Sequence, residues 1–352
     1  MATADADVDA EVPRAASSPV EPPLPPLDEI VAALTEYRWL ARTYVIEYHV
    51  ERLAERLPPA WQAALAATPL PEVTRRLLSG DDEGLAAWPD SLRAYAVACR
   101  RLALDRRPRG FHGAPPCELD RALLSGLSDK KRHEIERLVP VVAHVVRAAR
   151  ATLVVDIGSG VGHLARTLAY LVGVDVVGIE GNPAYVAGAV ERDAKCAALL
   201  AGRARAGDAA AAALLARRRA TRHLAHFVRT DTDGAAFEAL VRRALDLRPG
   251  APTPPLVIVG LHTCGDLGPT LLRLFAEQPF VRGVVSVACC YMHMTEDSDD
   301  EFVAPPPAGR LGYPLSRAVA DRLPDAHLGW KLREMACHAL DAYEARARVA
   351  PA

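Results

Sequence analysis

The sequence predicts an α/β protein, a doubly wound parallel sheet preceded by an N-terminal all-helical accessory region. Three observations carry this. From about Leu127 onward, five apolar, β-branched runs alternate with helical patterns. The first run ends in an acid and passes through a glycine-rich turn into a helix. Residues 28–104 show helical apolar spacing and Pro breaks instead of strand-like runs.

Taken in order, residues 1–27 are rich in Ala, Asp, Ser and Pro, bury little, and are expected to form a disordered tail. From Asp28 to about Leu57, residues Ile30, Leu34, Tyr37, Leu40, Tyr44, Ile46 and Val50 follow roughly one helical face. Pro58 and Pro59 end that helix, and Trp61 to Ala67 reads as a second, short one. Trp88-Pro89-Asp90-Ser91 leads as a turn into a helix reaching Leu104, and 105–120 reads as a linker. The accessory region with its linker therefore spans 28–120, and the α/β domain 121–352. Within the latter, Ser128 caps a helix running through Ile135, Leu138, Val142 and Val146. Strands are expected at Thr152–Asp156, Val174–Glu180, His226–Asp231, Leu256–His262 and Gly283–Cys289. Residues 195–225 read as a solvated helical insertion; a sharper reading makes Arg217, Arg218, Arg219 and Arg222 a basic lip for an anionic substrate. Leu328 to Ala347 reads as helix, and no pair of strands is visible between Glu296 and Ala352.

Composition bounds the function. A formal net charge of −2 gives no global positive field, and 5% aromatics leaves few platforms for stacking bases. Seven cysteines, an odd number with Cys289 and Cys290 adjacent, do not make a secreted disulfide framework. The N-terminus lacks the basic and apolar regions of a signal peptide, and no apolar run is long enough for a bilayer. The expectation is an intracellular protein, cytoplasmic or nuclear, with no membrane partner.

The strongest local signal is Asp156-Ile-Gly158-Ser159-Gly160-Val-Gly162-His163. In a doubly wound, Rossmann-like sheet such a turn sits at the carboxyl end of the first strand, where ligands bind. His163 stands where the dinucleotide fingerprint would place its third glycine. Asp156 is a poor neighbour for a pyrophosphate but suits a ligand carrying an ammonium and a sulfonium. Both points favour S-adenosylmethionine over NAD and disfavour a dehydrogenase. Glu180, followed by Gly181 and Asn182, ends the second run where an acid can accept both ribose hydroxyls. Asp231, after the third run, is a weaker candidate for the adenine amine. The expected cofactor set is Asp156, Gly158, Ser159, Gly160, Gly162, Glu180, Gly181, Asn182 and Asp231.

Several rarer blocks accompany this loop. They are Leu57-Pro-Pro-Ala-Trp61, Trp88-Pro-Asp-Ser-Leu92, Ser128-Asp-Lys-Lys-Arg-His-Glu-Ile135, Gly260-Leu-His-Thr-Cys-Gly-Asp266, Cys289-Cys290-Tyr291 and Gly312-Tyr-Pro-Leu-Ser316. With them, the chain from about residue 30 to about 346 resembles the methyltransferase-like protein 25 family, also described as ribosomal RNA adenine dimethylase domain-containing. The resemblance implies a class I methyltransferase fold and methyl transfer, and names no acceptor. It also tilts Lys130, Lys131 and His133, at a helix start where cations are unfavourable, toward a substrate- or cofactor-facing role.

Methyl transfer depends chiefly on alignment, with a base where the nucleophile carries a proton. The fourth run ends in His262-Thr-Cys264-Gly-Asp266, which faces the methyl group in this fold. His262 or Asp266 can act as base or orient the acceptor, though Asp266 also suits a helix N-cap. No Asn/Asp-Pro-Pro-aromatic block stands here, so the residues do not support adenine dimethylation. Cys264, Cys289 or Cys290 can supply a thiolate nucleophile as in cytosine C5 methylation, or pack as small apolar residues. Zinc held by His262, Cys264, Cys289, Cys290 and His293 is a further alternative, but the usual paired spacing is absent and no metal is assigned. The catalytic candidates are thus His262, Cys264, Asp266, Cys289, Cys290 and Tyr291. RNA and protein are both candidate acceptors. The rival reading is a non-catalytic scaffold whose helical region docks a partner.

Overall fold

The computed structural model describes residues 25–78, 83–104, 115–296, 312–322 and 328–337. Most of the expected N-terminal tail, residues 105–114 of the expected linker and the last part of the expected C-terminal helix lie outside them.

The accessory region holds α1 (Leu27–Glu36), α2 (Arg38–Ala41), α3 (Leu53–Arg56), α4 (Pro59–Ala66), α5 (Leu70–Leu78) and α6 (Asp90–Leu102). The single helix expected over 28–57 is broken. The run Thr43-Tyr-Val-Ile loses side-chain freedom in a helix, and Arg52 adopts a left-handed conformation at φ 48°. The periodicity there was misleading, because Ile46 and Val50 are exposed instead of buried. The core of this region forms around Trp61, Leu85, Trp88, Leu92 and Ala96. Indole Nε1 of Trp61 donates to Ser91 Oγ at 2.8 Å, joining α4 to α6.

The α/β domain follows the predicted alternation. Asp120 caps α7 (Arg121–Leu124), and Ser128 caps α8 (Asp129–Ala148), accepting from the Lys131 N–H at 3.3 Å. Then come β1 (Leu153–Ile157), α9 (His163–Leu171), β2 (Asp175–Glu180), α10 (Pro183–Arg205), α11 (Ala209–Arg217), β3 (Thr221–Ala225), α12 (Gly234–Leu245), β4 (Leu256–Leu261), α13 (Leu267–Glu277) and β5 (Val281–Val287). All strand pairs are parallel, in the order β3-β2-β1-β4-β5. This is a Rossmann-like sheet. Val154, Val176, Val257, Val259 and Val285 pack on α8 and α9. Leu153, Val155, Ile157, Val177, Ile179 and Ile258 pack on α12 and α13. Both faces are covered, so the central strands read as unbroken apolar runs. Strand order reverses between β1 and β4, which opens a crevice at their carboxyl ends.

The third strand is a correction. It is Thr221–Ala225, paired with Val176–Glu180, and not the run at 226–231. As an edge strand it is only partly buried and carries Arg222 and His223, so it lacks the apolar signature of its neighbours.

After β5 the described residues contain no strand. They form α14 (Arg317–Arg322) and a helix over 329–337, α15, and turn back onto the accessory region. Lys331 pairs with Glu47 at 2.7 Å, Arg322 pairs with Asp28 at 3.2 Å, and Tyr44 OH reaches Glu334 at 3.5 Å. The guanidinium of Arg333, almost wholly buried, bonds Glu296 at 3.1 Å and the carbonyl of Met294 at 2.7 Å. The helical region is thus completed from the C-terminal side of the sheet.

Candidate functional site

The glycine loop joins β1 to α9. Gly158, Gly160 and Gly162 have φ of 70°, 54° and 73°, a region that disfavours a side chain. At Gly162 a Cβ would also lie 2.9 Å from His223 Cε1, so this glycine is required for packing. Glu180 ties the loop to β2. Its Oε2 accepts from the Gly160 N–H and its Oε1 from the Asn182 N–H, each at 2.9 Å. A carboxylate has about four lone-pair directions, so two remain for hydroxyl donors.

Two spaces flank the loop. A cleft of about 1000 Å³ is lined by Gly158, Glu180, Gly181 and Asn182 together with Phe227, Cys264, Asp266 and His293. A smaller space of about 50 Å³ is lined by Asp156, Ser159 and Gly160 together with Lys131, His163 and His262. Gly162 lines neither and serves as the entry to α9. Asp231 also lies outside both, and its carboxylate rests on Arg229 at 3.0 Å. In its stead, Phe227, 72% exposed, presents an aromatic ring to the large cleft beside Gly181. The residue reading missed it because it took 226–231 for strand.

Asp156 is 2% exposed, and its Oδ2 has no hydrogen-bond partner among the described residues. Burial raises its carboxyl to about 7, the nearby Glu180 charge adds to this, and a backbone N–H bond opposes it. Beneath the loop lies a second network that the sequence did not announce. Asp193 on α10 accepts from Arg166 Nε at 2.7 Å and faces His223 Nε2 at 2.9 Å. Burial works against ionised Asp193, but bonds to His223 and Thr221 and the Arg166 charge hold its carboxyl below the ordinary value. This network ties α9, α10 and β3 together directly behind Gly162.

At the ends of β4 and β5 the expected acceptor-side residues separate. His262 has a positive φ of 70°, uncommon for a non-glycine residue. Its Nε2 lies 3.2 Å from Glu134, and its Nδ1 lies 3.5 Å from Cys289 Sγ. Cys264 Sγ is 3.4 Å from Cys289 Sγ, which is 3.3 Å from Cys290 Sγ. Burial and the neighbouring thiols push Cys289 up to about 12. Burial opposes ionisation of Cys264 as well, but hydrogen bonds from the Cys289 backbone and neighbouring thiols lower it. Asp266 does not cap α13 with its side chain. Both its oxygens hold Thr295, accepting from the backbone N–H and from Oγ1 at 2.7 Å each. Tyr291 lines neither space; burial, with the Cys337 thiol beside it, raises its phenol to about 12.

Of the basic candidates, Lys131 lines the small space, whereas Lys130 and His133 are exposed and line neither. Lys130 lies 3.9 Å from Glu134. The arginine cluster does not form a lip to the cleft. Arg217 Nη1 donates to Leu171 O and the Arg219 N–H to Ala169 O, which places both before β3, at the opposite end of the sheet.

Residues 130–297 match the family model described as a methyltransferase domain. That match spans just under half of the chain. A segment of 45 residues is 47% identical to a human protein named "Probable methyltransferase-like protein 25", covering 13% of this chain and 8% of that protein. A segment of 59 residues is 39% identical to the mouse protein of the same name, covering 17% of this chain and 10% of that one. The aligned segments thus span about a tenth of those relatives' length. No solved structure matches the chain. No described helix is long and apolar enough to cross a membrane.

Proposed function

We propose that the chain binds S-adenosylmethionine across the glycine loop and transfers its methyl group to an acceptor held at the ends of β4 and β5. The observation that carries this is the pairing of two acids with one glycine turn. Glu180 leaves acceptor positions for ribose hydroxyls beside a cleft of about 1000 Å³. Asp156 lies deeper, on the small space, with an oxygen unpartnered among the described residues and suited to a cationic ligand end. Phe227 offers the adenine a face to stack on. Lys131 at the inner space keeps both RNA and protein as candidate acceptors, while the arginine cluster no longer argues for RNA.

Calorimetric titration of S-adenosylmethionine and of NAD into the wild type and Gly160→Arg tests the proposal. Saturable binding of S-adenosylmethionine alone, lost in the variant, is expected. Folded wild-type protein that binds neither ligand would overturn it and favour a scaffold whose helical region docks a partner.

A further inference from the structure

We propose that Cys264, Cys289 and Cys290, completed by Nδ1 of His262, bind one zinc ion at the carboxyl ends of β4 and β5. The three sulfurs lie within 4.8 Å of one another although 25 residues separate Cys264 from Cys289. With Zn–S about 2.3 Å and Zn–N about 2.0–2.1 Å, tetrahedral geometry requires S···S near 3.8 Å and S···N near 3.6 Å. The observed separations are 3.4 and 3.3 Å between sulfurs and 3.5 Å from Cys289 Sγ to His262 Nδ1. The three sulfurs are already gathered, while Nδ1 of His262 lies close to Cys289 alone and its ring must turn toward the other two sulfurs to complete the tetrahedron.

The surroundings of His262 supply an independent observation. A histidine that ligates zinc commonly donates its other ring N–H to a carboxylate, which fixes the tautomer. Here the ring nitrogen remote from the sulfurs lies 3.2 Å from Glu134 on α8. The backbone also brings the two strand ends together. Gly265, at φ 59°, approaches the 290–293 turn so closely that a Cβ would meet His293 O at 2.9 Å. Its N–H donates to Cys290 O at 3.4 Å. Thiolate and imidazole donors favour zinc over magnesium or calcium, which take oxygen ligands. The site adjoins the region proposed for methyl transfer, since Cys264 lines the large cleft and His262 the small space, but zinc uptake is read without any transfer.

Elemental analysis of the full chain, purified without chelator, tests this. About one zinc per chain is expected, and replacement by cobalt should give thiolate-to-metal charge-transfer absorption. Cys264→Ser and Cys289→Ser should lose both signals, whereas Cys99→Ser in the accessory region should keep them. Glu134→Gln, which leaves all four ligands in place, should weaken zinc binding roughly 10- to 100-fold. Reduced, folded wild type that takes up no zinc on titration would overturn the proposal. So would peptide mapping of freshly purified protein that finds a disulfide between Cys264 and Cys289, or cobalt protein lacking the thiolate band.

Discussion

Asp156 and Glu180 end adjacent strands, yet their surroundings give them opposite tasks. Glu180 is fixed by two backbone N–H donors and stays available to hydroxyls. Glu180→Gln keeps the shape but loses the charge-assisted acceptor. S-adenosylmethionine affinity should fall roughly 10- to 100-fold, as expected for hydrogen bonds of about 1.5–3 kcal/mol to a charged group. Calorimetry on the folded variant checks this, and unchanged affinity would remove Glu180 from the site. Asp156 is governed by burial. Its carboxyl rises from an ordinary 3.8 to about 7, so folding favours its protonated form. Its contribution to stability is full below about pH 4 and is lost as the pH rises toward 7, amounting to up to about 4 kcal/mol. Asp156→Asn escapes that loss. Its melting temperature relative to wild type should climb between pH 4 and pH 7 and then level off. A difference independent of pH would show that burial does not control this group. Both acids were legible in the sequence because each ends an apolar run beside a glycine turn. The thiol cluster was legible as one alternative, a zinc set of His262, Cys264, Cys289, Cys290 and His293 at neighbouring strand ends, but the spacing of Cys264 and Cys289 did not single it out over plain packing.

Elements were legible in proportion to their burial. β1, β2, β4 and β5 lie at or near the expected places because their runs pack against helices. β3 was displaced by about five residues, since an edge strand bearing Arg222 and His223 carries no such signature. That shift concealed two parts of the site. Phe227 follows the strand into the cleft, and His223 within it reaches the buried Asp193. Asp193→Ala should remove the partner of Arg166, which is only 3% exposed, and cost about 3–5 kcal/mol. The urea midpoint should fall with the slope unchanged. A loss well under 1 kcal/mol would mean that the network does not support the loop.

Across the whole molecule, the sequence divided the chain into an N-terminal helical region and a later α/β domain, but it did not show that the chain returns. The return depends on pairs far apart in sequence, such as Lys331 with Glu47, which no local pattern encodes. Arg333 is the link between the two parts. It lies on the returning α15, yet its guanidinium is sealed against Glu296 and the carbonyls of the turn after β5. The four tryptophans, Trp39, Trp61, Trp88 and Trp330, all lie in the accessory region or on α15. Their fluorescence therefore reports the helical part, whereas far-UV circular dichroism reports mainly the larger α/β domain. In the wild type the two urea transitions should coincide, as for one cooperative unit. Arg333→Ala leaves Glu296 buried without its cationic partner, a change that costs about 3–5 kcal/mol in comparable pairs, although the Leu328 and Gly329 N–H groups still donate to it. The fluorescence transition should then move to lower urea than the dichroism transition. If both shift together, the loss acts on the sheet domain itself, and α15 is part of one indivisible core instead of a clamp between two.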